Sequence, residues 1–183
     1  MPSKLKYTPA YCEENIWHLA NKDQFCGLDA TVVLVTGPGS HRKLWYQRCS
    51  EHDEIPVHWD YHVILLVRDD NWQVWDLDTT LELPANASTY FRQTFYGPDE
   101  SFQGNNVLFR TIDADEYIAN FSSDRAHMRL PSGDWAAPPP AWPPIVKREK
   151  SNLMAWLDSD SDGPGELLTL EQMIAFYSLS KSS

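Results

Sequence analysis

The chain has 183 residues, 42% hydrophobic and 13% aromatic, with 26 acidic against 15 basic side chains and a formal net charge of −11. That length fits a single domain over residues 1–183, and the apolar content is enough for a core, which excludes a disordered tail. A field of this sign repels phosphate backbones and draws cationic ligands, so nucleic acid is not an expected partner and a substrate with a free ammonium group is.

No apolar run approaches the roughly 20 residues of a membrane span, and MPSKLKYTPAY has no apolar signal-peptide core. Neither a membrane nor secretion is expected. Cys12, Cys26 and Cys49 are an odd, unpatterned set, not a disulfide framework, which points to a reducing intracellular compartment.

Residues 12–22 predict a helix: Ile16, Leu19 and Ala20 keep helical spacing, Glu13 and Glu14 fall in the first turn, and Thr8-Pro9 resists helix just upstream. TVVLVT (31–36) reads as a buried strand ended by Gly37-Pro38-Gly39-Ser40, and KLWYQR (43–48) as a second strand. VHWDYHVILLV (57–67) and NWQVWDLDT (71–79) predict a hairpin joined by Arg68-Asp69-Asp70. A helix over 86–95, a strand over 107–111 and a helix from Asp113 to Phe121 follow. Residues 122–135 read as loop, and APPPAWPP (137–144) must be extended. A last helix starts near Thr169, with Gln172 in capping-box position. This order suits an α+β fold, an antiparallel sheet flanked by helices, and not a doubly wound nucleotide fold.

Cys12 opens the first helix. A helix start stabilises a thiolate, although Glu13 and Glu14 oppose it, and a lone cysteine is more often an inert buried thiol. A nucleophile needs a base and an orienting acid. On a continuous strand, His58, Asp60, His62 and Ile64 share one face, and Asp76 and Asp78 share another. A hairpin with an odd-numbered loop sets His62 opposite one of these aspartates. A loop at 68–70 selects Asp76 and one at 69–71 selects Asp78, so spacing leaves the choice open. A cysteine at a helix start with a His–Asp pair on adjacent strands is the papain and transglutaminase-like cysteine-hydrolase arrangement.

DSDSDG (158–163) begins like an EF-hand loop, but Thr169 stands where a bidentate Glu is needed and Pro164 follows the glycine, so an acidic solvated loop is expected. The scattered His and Cys include no metal-ligand spacing, and neither metal nor cofactor is expected. APPPAWPP reads as a stiff surface strap, with a proline-motif ligand as the alternative.

YCEENIW (11–17), WDYHVILL (59–66), VWDLDT (74–79), FRTIDADEYIANFSSDRAHM (109–128) and SGDW with PPP (132–140) together resemble the protein N-terminal glutamine amidohydrolase family, in order and along nearly the whole chain. The resemblance implies a monomeric cytoplasmic or nuclear enzyme that deamidates N-terminal glutamine on proteins or peptides to glutamate, which arginylation then marks for the N-degron pathway. Carried over by motif, Cys12 is the nucleophile, His62 the base and Asp76 the orienting acid. Asp124 and Glu13 are candidates for holding the substrate's α-ammonium. The acidic loop before the last helix and a short N-terminal leader depart from the family pattern. A cysteine protease or transglutaminase-like acyl transferase, and a non-catalytic module that binds N-termini, are the competing readings.

Overall fold

Two runs of β-branched residues and leucine, in TVVLVT and HVILLV, form the centre of the molecule. The computed structural model describes residues 5–98 and 106–178. In chain order the elements are α1 (Cys12–Ala20), β1 (Asp29–Thr36), β2 (Arg42–Leu44), β3 (Val57–Trp59), β4 (His62–Arg68), β5 (Trp72–Trp75), β6 (Ala85–Asn86), α2 (Ala87–Tyr96), β7 (Leu108–Asp113), α3 (Ala114–Asn120), α4 (Leu153–Leu157), β8 (Glu166–Thr169) and α5 (Leu170–Tyr177). A six-stranded antiparallel sheet has the order β6-β5-β4-β1-β7-β8, and β2 and β3 form a separate ribbon.

The central strands are apolar throughout because helices cover both faces. Alternation sends Val32, Leu34, Val63 and Leu65 to one face, where they meet Ile16, Leu19, Tyr117 and Trp156 of α1, α3 and α4. Val33, Val35, Ile64 and Leu66 go to the other, against Tyr90, Phe91, Phe95 and Met173 of α2 and α5. This is the expected α+β arrangement. Among the described residues no helix is long and apolar enough to cross a membrane.

Local capping follows the sequence closely. Asn86 caps α2 through Thr89 N–H, Asp113 caps α3 through the N–H groups of Asp115 and Glu116, and Thr169 with Gln172 closes both halves of a capping box on α5.

Three expected strands are shorter than predicted, the 71–79 strand among them, which stops at Trp75. The 43–48 strand stops at Leu44: Tyr46 takes φ +57, and the turned chain bridges Gln47 to Thr79 instead. The 57–67 strand is broken at Asp60-Tyr61. Its first piece, β3, pairs with β2 in the ribbon, and only β4 joins the main sheet. His58 and Asp60 therefore do not share a face with His62; both are exposed. Helix α4 and strand β8 were not expected.

The acidic loop exists to enclose an arginine. Arg110 of β7 is 3% exposed. Its guanidinium donates to the carbonyls of Trp156 at 2.7 Å, Asp158 at 2.9 Å, Ser161 at 3.2 Å and Pro164 at 3.3 Å. Gly163 lies flat on it, where a Cβ would come within 2.6 Å of the guanidinium carbon. The loop carbonyls thus face a fixed cation while the side chains of Asp158, Asp160 and Asp162 stay exposed. Arg110→Met leaves these carbonyls unpaired and should cost about 3 kcal/mol, a fall in melting temperature of roughly 6–12 °C for a domain of this size; thermal denaturation followed by circular dichroism reads it.

Candidate active site

Helix α1 begins in an unusually buried place. Asn15 ties its entry by accepting from Thr8 N–H at 2.9 Å and donating to Thr8 C=O at 2.8 Å. Tyr11, Glu13, Glu14 and Asn15 are fully buried, and Cys12 is 8% exposed. Two buried acids in one turn require partners. Glu14 accepts both Arg125 Nε at 2.6 Å and an Arg125 terminal N–H at 2.7 Å, and also Trp142 Nε1–H at 2.7 Å. Arg125 spends its other donors on Trp142 C=O and Pro140 C=O, and Tyr11 OH donates to Ala137 C=O. The proline-rich strap has no regular secondary structure and bends at Ala141 and Trp142, and these bonds fasten it over the start of α1. This buried network is not readable from spacing alone; the only hint is two glutamates beside a cysteine in a segment otherwise bound for the core.

Glu13 carries a second network. Tyr61 OH donates to Glu13 Oε2 at 3.0 Å and lies 3.1 Å from His127 Nε2, which is 3.5 Å from Glu13 Oε1. Burial, then the Glu13 charge, pushes the Tyr61 phenol well above its ordinary range. Tyr61 and His127 were not singled out from the sequence.

His62 opens β4 and is 1% exposed; Asp76 follows β5 and is fully buried. His62 Nε2 lies 2.8 Å from Asp76 Oδ1. A carboxylate only accepts, so Nε2 carries the proton and Nδ1 is left without a partner among the described residues. Asp76 has three more donors: Asp78 N–H at 2.9 Å, Tyr90 OH at 2.8 Å and Gln47 Nε2 at 3.2 Å. Gln47 also accepts from Trp59 Nε1–H, and the Trp59 ring stacks on His62 at 5.7 Å and 14°. The break between β3 and β4 turns Trp59 back over the imidazole.

The strand register departs from the sequence argument. Arg68 pairs with Trp72, so the hairpin loop is 69–71, the register that sets Asp78 opposite His62 if both strands continue. They do not: β5 ends at Trp75, and Asp76 meets His62 from the turn that follows. Asp76 Oδ1 also receives the Asp78 N–H, which ties the turn after β5.

Cys12, His62 and Asp78 line one open cavity of about 250 Å³, with Trp59, Asp60, Tyr61, Met128 and the strap residues Ala136 and Ala137. Val63 N–H points at the Cys12 sulfur. Even so, burial, and then the carboxylates of Glu13 and Asp78, hold the thiol well above its ordinary value. The helix-start stabilisation of a Cys12 thiolate expected from the sequence is opposed here by burial, at 8% exposure, and by these carboxylates.

Neither α-ammonium candidate lines this cavity. Asp124 is exposed and its carboxylate accepts from Ala126 N–H. Glu13 is buried with Tyr61 and His127. Asp78 does line the cavity, is 5% exposed, and accepts from Tyr7 OH at 2.6 Å.

Among the described residues, ligand atoms of His62, Asp76 and Asp78 lie within 4.8 Å of one another. Both Asp76 oxygens are already taken by hydrogen-bond donors, which makes the cluster a hydrogen-bonded shell in this structure.

The family model of N-terminal glutamine amidase matches residues 7–177. The chain belongs to the N-terminal glutamine amidase family. The protein N-terminal glutamine amidohydrolase of Drosophila melanogaster is 36% identical over 186 residues, covering 96% of this chain and 90% of its own. That of Drosophila mojavensis is 34% identical over 179 residues, covering 93% and 87%, and that of Bos taurus 36% over 180, covering 94% and 86%. The amidase match spans every cavity residue named above.

The His62–Asp76 contact links stability to pH. Burial alone lowers the His62 pKa, but the Asp76 charge and hydrogen bond outweigh it and raise the value; burial alone raises that of Asp76, but His62 and the other donors lower it. The depressed Asp76 stabilises above the ordinary carboxylate range, and this is lost as pH falls through its folded value. The raised His62 stabilises below the ordinary imidazole range, and this is lost as pH rises through its folded value. Urea denaturation of wild type and Asp76→Asn across pH should show the largest stability difference between those two ranges, shrinking on either side.

Proposed function

We propose that this chain hydrolyses the side-chain amide of an N-terminal glutamine on a protein or peptide, releasing ammonia and leaving N-terminal glutamate, with Cys12, His62 and Asp76 as a triad of papain and transglutaminase-like type. The observation that carries the reading is one open cavity lined by Cys12 and by a histidine whose far nitrogen is fixed on a fully hydrogen-bonded aspartate. Membership of the amidase family supplies the substrate. We also place the enzyme, as a single catalytic domain and a monomer, in the cytoplasm or nucleus, where its three free cysteines stay reduced and its product can enter the N-degron pathway.

On this reading the chemistry runs as a sequence of proton and acyl transfers. The neutral Cys12 thiol gives its proton to His62 Nδ1 as sulfur attacks the carboxamide carbon, so the thiolate forms only as it is used. Asp76 fixes the tautomer with Nδ1 free and stabilises the imidazolium. Cys12 N–H, at the first residue of α1, has no partner within the helix and is a donor for the oxyanion. Collapse breaks the C–N bond, His62 protonates the departing nitrogen, and ammonia leaves a thioester. Water loses a proton to His62, attacks the thioester, and the proton returns to the Cys12 sulfur.

Cys12→Ala should release no ammonia and keep the wild-type circular dichroism spectrum, whereas Cys26→Ala and Cys49→Ala, which change exposed thiols outside the cavity, should keep turnover. Asp76→Asn should slow turnover by up to about 10⁴-fold, as loss of the orienting acid does in serine proteases. A competing acyl transferase or protease with the same triad makes a different prediction for substrates. Mass spectrometry on a peptide with free N-terminal glutamine, its acetylated form and an internal-glutamine analogue decides between them. Deamidation of the free form alone is expected; equal reaction of all three favours the acyl transferase, and binding without any mass change favours the non-catalytic module.

A further inference from the structure

The cavity wall carries two carboxylates, and they differ sharply. Asp60 stands in solvent, its side chain 80% exposed, with His41 at 3.8 Å. Asp78 is 5% exposed, and its small exposure lies on the wall it shares with Cys12 and His62. Buried carboxylates normally fill their acceptor positions. Asp76, two residues earlier, does so with four donors from four parts of the chain. Asp78 receives one side-chain donor among the described residues, Tyr7 OH. Tyr7 is half-buried and lies outside the cavity lining. Arg48 N–H fixes the Asp78 carbonyl at 2.7 Å, which sets the backbone from which the carboxylate projects. A largely buried carboxylate that borders the cavity and accepts one side-chain hydrogen bond can receive a cation.

We infer that Asp78 binds the α-ammonium of the substrate's first residue and so makes a free N-terminus the condition for entry to the site. The inference rests on the N-terminal glutamine reading above and names the recognition element within it. Distance agrees: an Asp78 carboxylate oxygen lies within 4.8 Å of a His62 ring nitrogen, and in glutamine only the short side chain separates the α-amine from the carboxamide under attack. Charge agrees too. An ammonium beside a carboxylate in a largely desolvated wall is held far more strongly than in water, and the net charge of −11 draws cationic termini toward the protein. Acetylation removes the charge and adds bulk at the Asp78 wall. Asp78 replaces Asp124 and Glu13 in this role because it is the one of the three that lines the cavity.

The test separates recognition from chemistry by measuring binding in the Cys12→Ala background. The probes are a short peptide beginning with glutamine and its des-amino analogue, which keeps the carboxamide and lacks only the ammonium. Isothermal titration should show Cys12→Ala preferring the free-amine peptide by roughly 10- to 100-fold, the range of a hydrogen bond between charged groups. Cys12→Ala/Asp78→Asn, which keeps an oxygen acceptor for Tyr7, should lose most of that preference. Should this double variant fold poorly, Cys12→Ala/Tyr7→Phe, which loosens the carboxylate without removing it, should show an intermediate preference. Equal binding of both peptides to Cys12→Ala, or an undiminished preference in both double variants, overturns the inference. Failure of the wild-type enzyme to release ammonia from the same peptide would instead overturn the proposed reaction, while the binding comparison still decides the role of Asp78.

Discussion

The site depends on a hydrogen bond made where no water competes: His62 Nε2 on Asp76. Either group alone would be costly to bury in charged form, and each shifts the other toward charge. The protein then spends the rest of Asp76's acceptor capacity on a backbone N–H, a tyrosine and a glutamine drawn from α2, the turn after β5 and the loop after β2. A carboxylate held from so many directions cannot follow His62 if the ring moves, so the ring stays where Asp76 and the Trp59 stack place it. The cost of ordering these groups is met by the packed α2 face of the sheet, where Tyr90 is wholly buried among Phe91 and Phe95.

On the other face the problem is to seat a thiol at the start of a helix without exposing it. Glu14 and Arg125 do this through a buried ion pair that also binds the strap carbonyls, so the strap, the loop around Arg125 and α1 form one unit. The consequence is chemical. With the thiol largely buried and flanked by Glu13 and Asp78, a standing thiolate is disfavoured, so the proposed reaction draws its reactivity from proton transfer to His62 during attack.

Much of this was legible from residue types in series. The apolar runs of β1 and β4 and the helix starts at Asp113 and Thr169 mark local structure directly, and the YCEENIW, WDYHV and DLD motifs mark the candidate site through the family resemblance. What the sequence hid was tertiary. Strand alternation is reliable only while a strand continues: the break after Trp59 undid the shared face of His58, Asp60 and His62, and the end of β5 at Trp75 left register without a say between Asp76 and Asp78, a choice spacing had already left open. Burial of Glu13 and Glu14 was hidden because the macrodipole argument treats first-turn acids as solvated. The acidic loop misled in a different way: its carboxylates look like ligands, while its carbonyls, which any sequence supplies, hold Arg110.

The account's central claim is that Cys12 owes its reactivity to His62 as held by Asp76, and not to the helix start. Alkylation of Cys12 by iodoacetamide, read by peptide mapping so that exposed Cys26 and Cys49 do not interfere, tests it without any substrate. In wild type the rate at neutral pH should far exceed that of Asp76→Asn, with the two proteins equally folded. Equal rates in the two proteins would contradict the account and return the activation of the thiol to α1.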